Sequence, residues 1–367
     1  MTDTRAAVLR EKAAEFVFED VTVGDARPGE VSVRLVASGV CHTDLLVRDQ
    51  VLPPGLPAIL GHEGSGVVTA VGAGVTTVAP GDPVVLAPLH CGRCRNCLSA
   101  HPMHCDAWGP LNLRGRRADG STAYRDARGV ELNGHFFGQS AFAGHVVVSE
   151  RSVVKVPDTA PLALLGPLGC GLQAGAGTVL RVLDPEPGSA IAVFGAGAVG
   201  LAAVMAARVA GCARIIVTDL HAPRRELATE LGATDVLTPG PDTVSQIMDL
   251  TGRGVGYAVD AVGLPQTARS ALAVLAMGGT AAIAGSAGAG QDAAFDLTQL
   301  MGRRVCGVIE GDSVPGLLIP HLVALYQAGR FPFDRLVRTY PFDELNRAVA
   351  DSESGATVKP VVLHPAA

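Results

Sequence analysis

The 367-residue sequence is poor in charged and aromatic side chains. Only 17% of its residues are Asp, Glu, Lys or Arg, 4% are aromatic, and there is a single Trp. Because 48% of the residues are hydrophobic, the composition argues against intrinsic disorder, and the length predicts two domains. The net charge of −6 comes without a basic stripe, so we expect no nucleic-acid partner.

Targeting segments and long hydrophobic runs are also scarce. Residues 1–5 lack the basic-then-apolar pattern of a secretory signal. The uncharged stretch 187–207 approaches the length of a membrane span, but glycines interrupt it, and a strand, a turn and a buried helix explain it better. Eight cysteines are too few for a disulfide scaffold in so long a chain. We therefore expect a cytoplasmic protein with reduced thiols and no membrane partner.

The first part of the chain, up to about residue 160, is predicted to be mostly β. Short apolar runs are separated by Gly, Pro and Asp, which is typical of a small barrel with loops. The predicted strands are 31–36, 66–68, 83–86 and 145–148. The polar segment 111–139 is expected to be an irregular excursion over the surface.

From about residue 172 the pattern changes to apolar strands that alternate with helices. This alternation predicts a doubly wound parallel sheet that is covered on both faces. The predicted strands are 190–194, 215–218, 255–260, 280–284 and 304–309, and the predicted helices are 198–209, 223–231 and 266–276. Two further helices, 316–327 and 343–350, and a strand, 358–363, can return to the first domain. We thus predict a first domain of residues 1–171 and 313–367, and a second of residues 172–312.

A glycine-rich turn predicts a dinucleotide site in the second domain. Gly195, Gly197 and Gly200, with Val199 between the last two, follow a predicted strand and open a predicted helix. These glycines allow a tight turn, approach of a pyrophosphate and close packing of helix and strand. Asp219 ends the next strand, where a carboxylate can bind the ribose hydroxyls. The alternative is a plain glycine turn in an α/β domain.

The same acid favours NAD over NADP, because a carboxylate repels a ribose 2′-phosphate. We expect a preference of at least tenfold, or roughly 1.4 kcal/mol. Arg224 and Arg225 follow Asp219 closely and would weaken this preference. Alternatively, both are solvated charges in the first turn of a helix.

Four clustered cysteines predict a metal site that is saturated by protein ligands. Their spacing, C-x2-C-x2-C-x7-C, brings enough thiolates into one loop for tetrahedral zinc. They are Cys91, Cys94, Cys97 and Cys105. An iron–sulfur cluster is the rival interpretation, but the seven-residue gap and the following Asp106 depart from the ferredoxin pattern. His101 and His104 lie in the same loop and are interpreted as surface residues.

A second set of ligands is scattered along the chain. Cys41, His62 and Cys170 are candidates, but spacing alone does not select them, because a lone cysteine is more often a small buried residue. The segments 39–44, 61–66 and 169–171, together with the four-cysteine loop and the glycine-rich turn, resemble the zinc-dependent medium-chain alcohol dehydrogenases in order and spacing.

The resemblance implies a fold and an activity. We expect a GroES-like β-barrel catalytic domain, a Rossmann domain, two zinc ions per chain, and NAD-linked oxidation of an alcohol to an aldehyde. It also implies a catalytic zinc held by Cys41, His62 and Cys170, with the fourth position left for water or the substrate oxygen.

Further site residues follow from the resemblance. Asp44 matches the carboxylate that orients the histidine ligand, and Glu63 matches the acid behind the metal. Thr43 matches the hydroxyl that takes the substrate proton. The remaining matches concern coenzyme contacts: His42 and Lys359 near the pyrophosphate, and Arg224 beside the adenosine ribose.

One departure from the family pattern narrows the substrate. Many members carry a histidine where this chain has Leu46, so the proton must leave through His42 or through water. Residues 41–50 resemble the aryl- and benzyl-alcohol branch, which includes geraniol-type enzymes. We therefore expect an aromatic or allylic primary alcohol or aldehyde. The family also implies a homodimer or homotetramer that forms through the edge strand of the Rossmann sheet, near Cys306, which, like Cys212, we otherwise interpret as a packing residue.

Other functions stay open at this point. Oxidation of a thiol–formaldehyde adduct would need a cationic pocket, which Arg114, Arg116 and Arg117 could supply. A non-catalytic protein that binds NAD and zinc, and a zinc-free quinone reductase, are disfavoured by the complete set of three scattered ligands.

Overall fold

The computed structural model describes residues 1–286, 288, 290 and 292–365, which form two compact units. The first unit comprises Met1–Cys170, Val314–Val323 and Leu336–Ala367, and the second comprises Gly171–Ser313 and Ala324–Arg335. The predicted division placed all of residues 313–367 in the first domain. Residues 324–335 instead pack with the second unit, so the helix that starts at Pro315 contributes to both.

The strands and helices alternate along the chain as follows. The strands are β1 Thr2–Leu9, β2 Val17–Val23, β3 Glu30–Gly39, β4 Ala58–Ile59, β5 Gly64–Val71, β6 Pro83–Leu86, β7 Tyr124–Asp126, β8 His145–Ser149, β9 Val153–Lys155, β10 Ala190–Phe194, β11 Arg214–Thr218, β12 Asp235–Leu237, β13 Val255–Asp260, β14 Leu275–Ile283, β15 Arg304–Gly307, β16 Val337–Pro341 and β17 Lys359–Leu363. The α-helices are α1 His42–Arg48, α2 Arg95–Leu98, α3 Trp108–Asn112, α4 Leu162–Leu165, α5 Gly171–Gly177, α6 Ala198–Ala210, α7 Ala222–Leu231, α8 Thr243–Thr251, α9 Pro265–Ala273, α10 Pro315–Gln327 and α11 Leu345–Glu353.

The first unit is a β-structure built on two sheets. One sheet has the order β16-β17-β3-β5-β6-β9, with β8 also paired to β3, and the other has the order β4-β1-β2-β7. Strand β3 is the longest and alternates buried with partly exposed residues before it becomes fully buried at its end. A continuous apolar core joins both sheets, as the GroES-like resemblance implies.

The second unit is a parallel sheet with the strand order β12-β11-β10-β13-β14-β15. The order reverses between β10 and β13, and in such sheets ligands bind at that switch point beyond the carboxyl ends of the strands. Helix α6 packs against the sheet with an almost entirely buried, uncharged face. The uncharged stretch 187–207 is therefore β10, a turn and a core helix, as predicted.

Short or weakly patterned elements escaped sequence prediction. Strand β12 has only three residues, and α5 is rich in glycine, which disfavours helix in isolation. Predicted helix 266–276 was three residues too long, because residues from Leu275 onward belong to β14.

No single helix in the described part of the chain is both long and apolar enough to cross a lipid bilayer. A bent pair, Leu162–Gly169 and Gly171–Leu183, has the necessary length and composition only when both helices are taken together.

Two buried histidines predict that the fold weakens at acidic pH. Burial lowers the pKa of His135 and of His364 to about 3, whereas both titrate near 6.5 in the unfolded chain. The unfolded chain therefore binds more protons below pH 6.5, and the free energy of unfolding should fall by about 1.4 kcal/mol per pH unit for each histidine. Chemical denaturation between pH 7 and 5 should show a shallower slope for His364→Gln. The exposed His321→Gln is the control, and equal slopes for both variants would contradict the assignment.

Candidate active site and metal centres

The carboxylate of Asp44 joins two segments that carry predicted metal ligands. Helix α1 begins directly after Cys41, whose backbone N–H donates to Asp44 Oδ2 at 3.0 Å. Asp44 Oδ1 accepts from the N–H of Gly61 at 3.0 Å and lies 2.9 Å from His62 Nδ1. Because Asp44 and His62 are fully buried, the Nδ1 proton of His62 is held by this carboxylate, and Nε2 is left with its lone pair.

The scattered ligands converge on one point in the first unit. Ligand atoms of Cys41, His62, Glu63 and Cys170 all lie within 4.8 Å of one another. His62 Nε2 is buried and has no hydrogen-bond partner among the described residues. A buried nitrogen that faces two sulfur atoms fits a bound zinc ion. The residues thus fit the metal that the resemblance implies, and we expect Cys41, His62 and Cys170 to hold it.

The electrostatics of this centre favour thiolates. A hydrogen bond with Cys170 lowers the pKa of Cys41 well below its usual value, against the effect of burial, and the Lys359 ammonium adds to this. Burial opposes protonation of His62, but Asp44 and the Cys41 sulfur raise its pKa well above the usual value. Protons and a metal ion therefore compete for Nε2, and metal affinity should decrease with acidity.

Glu63 and Lys359 form a buried ion pair behind the ligands. Lys359 Nζ lies 2.9 and 3.0 Å from the two carboxylate oxygens of Glu63 and donates to the carbonyl of Val40 at 3.2 Å. A side chain at Gly39 would collide with Glu63 Oε2, at 2.0 Å from an added Cβ. The absence of that side chain makes room for the acid. The expected pyrophosphate contact of Lys359 stays a prediction, since its ammonium is bound to Glu63.

A residue that was not predicted from the sequence, Gln139, braces the segment that carries His62. Gln139 is fully buried, its Nε2 donates to the carbonyl of His62 at 2.9 Å, and its Oε1 accepts from the N–H of Gly64 at 3.1 Å. It belongs to the segment that we expected to be an irregular surface excursion. No pattern within that segment identifies a buried glutamine.

The same segment supplies an aromatic cluster next to the histidine ligand. The ring of Phe137 lies 4.5 Å from that of His62, and Phe136 meets both rings edge-on. Phe137 has φ 52°, an uncommon value for a bulky side chain, so the packing around it fixes this conformation. Trp108 stands edge-on to Phe137 at 5.5 Å and is partly exposed.

The residues predicted to handle the proton lie at the start of α1. Thr43 Oγ1 is 3.8 Å from Cys41 Sγ, and His42 is exposed. Leu46 is partly buried one turn further along the helix. The structure thus places the Thr43 hydroxyl beside the metal ligands and an apolar side chain at Leu46.

The four clustered cysteines form a second centre. Their sulfur atoms lie within 4.8 Å of one another, and the closest, on Cys94 and Cys97, are 3.4 Å apart. Backbone N–H groups point at the sulfurs: those of Arg93 and Cys94 lower the pKa of Cys91 to about 6. Four sulfurs cannot all ionise this close together without a cation, so the donor set fits zinc. His101 and His104 stack on each other and are not part of this group.

The coenzyme turn has the predicted geometry in the second unit. Gly195 has φ 93° at the end of β10, and a Cβ added to Gly200 would lie 1.8 Å from the carbonyl oxygen of Gly195. Asp219 Oδ2 accepts from the N–H of Ala196 at 2.8 Å, and Oδ1 accepts from that of His221 at 2.8 Å. The predicted ribose-binding acid therefore also fixes the turn that should hold the pyrophosphate.

The two arginines behind Asp219 differ in their contacts. Arg225 Nη1 donates to the carbonyls of Asp219 and Leu220, at 2.7 and 3.0 Å. Arg224 Nε is buried and has no hydrogen-bond partner in the described part of the chain. Of the two, Arg224 therefore has a donor available for a ligand, and its role beside the ribose stays a prediction.

Removal of one ligand from the four-cysteine centre should release one zinc ion and leave the other centre loaded. Cys97→Ser should reduce the zinc content from about two ions to about one per chain and should lower Tm, because the loop loses a ligand while the other centre stays intact. Metal analysis by mass spectrometry measures this. Cys212→Ser, outside both centres, should retain both ions. Unchanged zinc in Cys97→Ser would contradict a structural zinc site.

Comparisons with known proteins agree with this geometry. Residues 27–158 match the model of the alcohol dehydrogenase GroES-like domain, and residues 198–322 match that of the zinc-binding dehydrogenases. The chain is 43% identical to a geraniol dehydrogenase from Castellaniella defragrans over 364 residues, covering 98% of this chain and 97% of that protein.

Two crystal structures are similar over the full length of both chains. A zinc-binding-domain alcohol dehydrogenase from Burkholderia ambifaria is 49% identical with a TM-score of 0.98. A benzyl alcohol dehydrogenase from Acinetobacter calcoaceticus is 42% identical with a TM-score of 0.96. The chain therefore belongs to the zinc-dependent medium-chain alcohol dehydrogenases, enzymes that transfer a hydride between an alcohol and a nicotinamide coenzyme.

Proposed function

We propose that this enzyme interconverts aromatic or allylic primary alcohols and their aldehydes, with NAD as coenzyme. The observation that carries the substrate class is an aromatic cluster at the His62 ring: Phe136 and Phe137 contact this ring, and Trp108 stands edge-on to Phe137. Such a setting favours an apolar, unsaturated substrate, because aromatic rings pack well on one another. The similarity of this chain to a geraniol dehydrogenase and to a benzyl alcohol dehydrogenase supports the same class.

Each residue of the catalytic centre has a separate role. Zinc, when bound, supplies a Lewis acid that lowers the pKa of an alcohol. Cys41, His62 and Cys170 would hold the ion, and two thiolates with a neutral imidazole would balance its charge. Asp44 keeps the His62 proton on Nδ1, so that Nε2 stays a ligand. Lys359 draws the Glu63 carboxylate towards its own ammonium group.

The proton of the alcohol needs a route out of this centre. Thr43 Oγ1 lies 3.8 Å from the Cys41 sulfur, and its hydroxyl can accept the proton and pass it on. Leu46 has no group that carries a proton. We infer that the proton leaves through the exposed His42 or through water.

Ion pairs weaken the case for the thiol–formaldehyde adduct as the substrate. Arg117 is bound by Glu30 at 2.6 Å, and Arg116 is bound by Glu131 at 2.7 Å. Two of the three arginines that could neutralise an anionic substrate are thus already paired. The adduct stays the second candidate, to be compared with benzyl alcohol in the same assay.

We also propose a homodimer or homotetramer that uses β15, the edge strand of the parallel sheet. Edge strands expose unpaired backbone groups, and exposed apolar side chains near such an edge favour association. Met301 and Leu297, which precede β15, are 69% and 78% exposed. The cytoplasmic location rests on the need of both metal centres for reduced thiols.

The aromatic cluster predicts which substrates depend on Trp108. Trp108→Ala should lower kcat/KM for cinnamyl alcohol or geraniol about tenfold, because the partly exposed ring no longer packs on the substrate. The value for ethanol should change about twofold at most. NADH formation measures both. Phe18→Ala, a part-buried aromatic residue that packs on Phe342, is the control. An equal loss for both alcohols would contradict substrate contact.

Asp219 predicts the choice of coenzyme. The wild-type kcat/KM should be at least about tenfold higher with NAD than with NADP, because the carboxylate repels the 2′-phosphate. Since Asp219 also binds the Ala196 N–H, Asp219→Asn should weaken NAD binding without creating an efficient NADP enzyme. Comparable kcat/KM for both coenzymes in the wild type would refute the assignment.

The edge strand predicts the oligomeric state. Light scattering should give two or four times the chain mass of 37.5 kDa. Leu297→Glu with Met301→Glu should shift the population to smaller species, because charge on the exposed apolar face opposes association. A wild-type protein that is monomeric at micromolar concentration would refute this interface.

A further inference from the structure

An open cleft lies in the first unit, next to the four-cysteine centre. Its volume is about 510 Å³, within the range of sites for small ligands. It is bordered by residues 27–30, by residues 116–119 and by the metal-binding loop from Leu89 to Arg93. None of Cys41, His62, Glu63 and Cys170 lines it. A neighbouring cavity of about 500 Å³ shares several of these residues and adds Arg114.

Arginine dominates the charge of this cleft, although the chain as a whole is acidic. Three of the arginines are neutralised by acids. Arg27 pairs with Asp119 at 3.0 Å, Arg117 with Glu30 at 2.6 Å, and Arg116 with Glu131 at 2.7 Å. In each pair an acid of the same chain neutralises the arginine, so these three arginines offer no net charge to a ligand.

Three other arginines around the cleft have no such partner. Arg93 and Arg151 line the first cavity, and Arg93 and Arg114 line the second. All three are exposed, and across residues 1–286 and 292–365 no carboxylate of the described chain forms an ion pair with them. A guanidinium group offers several N–H donors in a planar fork that matches a carboxylate or a phosphate.

The thiolates of the zinc centre reduce the positive charge at only one side of the cleft. Cys91 lines both cavities, and four thiolates with one zinc ion carry two net negative charges. That charge offsets part of the field of Arg93.

The walls of the cleft are apolar between these charges. Pro28, Leu89, Leu111 and Ala118 line it, so a ligand with an apolar body can bury surface there. The buried Nδ1 of His90, another lining residue, has no hydrogen-bond partner in the part of the chain described. The cleft thus combines free cationic donors, an apolar wall and one unused polar atom.

We propose that this cleft binds a small organic anion, with a carboxylate or phosphate held by Arg93 and Arg151 and an apolar body held by Leu89 and Leu111, while Arg114 in the neighbouring cavity adds positive charge. The alcohol and aldehyde of the catalytic reaction are neutral, so this ligand is a different molecule. Its binding does not depend on the proposed substrate class, since no residue of the catalytic centre lines the cleft.

Calorimetric titration of the zinc-loaded full-length enzyme tests this proposal. Benzoate and phenyl phosphate are the complete anions, with a carboxylate and a phosphate respectively. Inorganic phosphate carries the charge without an apolar body, and benzamide carries the apolar body without charge. The variants are Arg93→Gln/Arg151→Gln and Arg114→Gln. The control is Arg253→Gln, an exposed arginine of the second unit that forms no ion pair with any described residue. Alcohol turnover is measured in parallel and should stay unchanged in all variants.

The expected result is that benzoate or phenyl phosphate binds with a Kd that rises about tenfold in the double variant and changes about twofold at most in Arg253→Gln. Arg114→Gln should give a smaller increase, and binding should weaken with salt. Benzamide and inorganic phosphate should each bind at least about tenfold more weakly than the complete anion. The proposal is overturned if no anion binds at about 10 mM or if benzamide binds as well as benzoate. It is also overturned if the arginine variants retain full affinity, because an anion that binds only in the catalytic centre would give that result.

Discussion

The catalytic centre depends on one buried carboxylate. Asp44 accepts from the backbone of Cys41 and of Gly61 and from the ring of His62, so it fixes two ligands, Cys41 and His62, that lie 21 residues apart in sequence. A buried anion is costly unless it is fully hydrogen-bonded, and these donors meet that requirement. The same bonds set the tautomer of the histidine. Geometry and ligand chemistry are therefore fixed by a single residue.

The surrounding structure supports this hub on each side. Gln139 holds the backbone around His62, and Lys359 holds Glu63 behind the ligands. Gly39 leaves the space that Glu63 occupies. The second unit uses the same principle, since Asp219 binds the backbone of the glycine-rich turn. In both units a buried acid or amide stabilises a loop whose backbone must stay in one conformation for binding.

Much of the fold follows from local patterns in the sequence. Strand β10, the turn at Gly195 and helix α6 were predicted almost residue by residue, because a continuous apolar strand, obligatory glycines and a helix with an apolar face are each local signals. The short strand β12 and the glycine-rich helix α5 were missed. Their stability comes from partners that are distant in sequence, which propensity does not record.

The site shows the same division between local and distant information. The spacing of four cysteines within fifteen residues by itself determined a metal centre, because all its ligands belong to one loop. The sequence identified Cys41, His62 and Cys170 only through resemblance to a family. Tertiary structure alone decided that their ligand atoms meet within 4.8 Å, that Gln139 braces them, and that three arginines around a cleft form no ion pair within the described part of the chain. The physical reason is that ligand spacing within a loop is set by a few backbone torsions, whereas convergence and pairing depend on the packing of whole sheets.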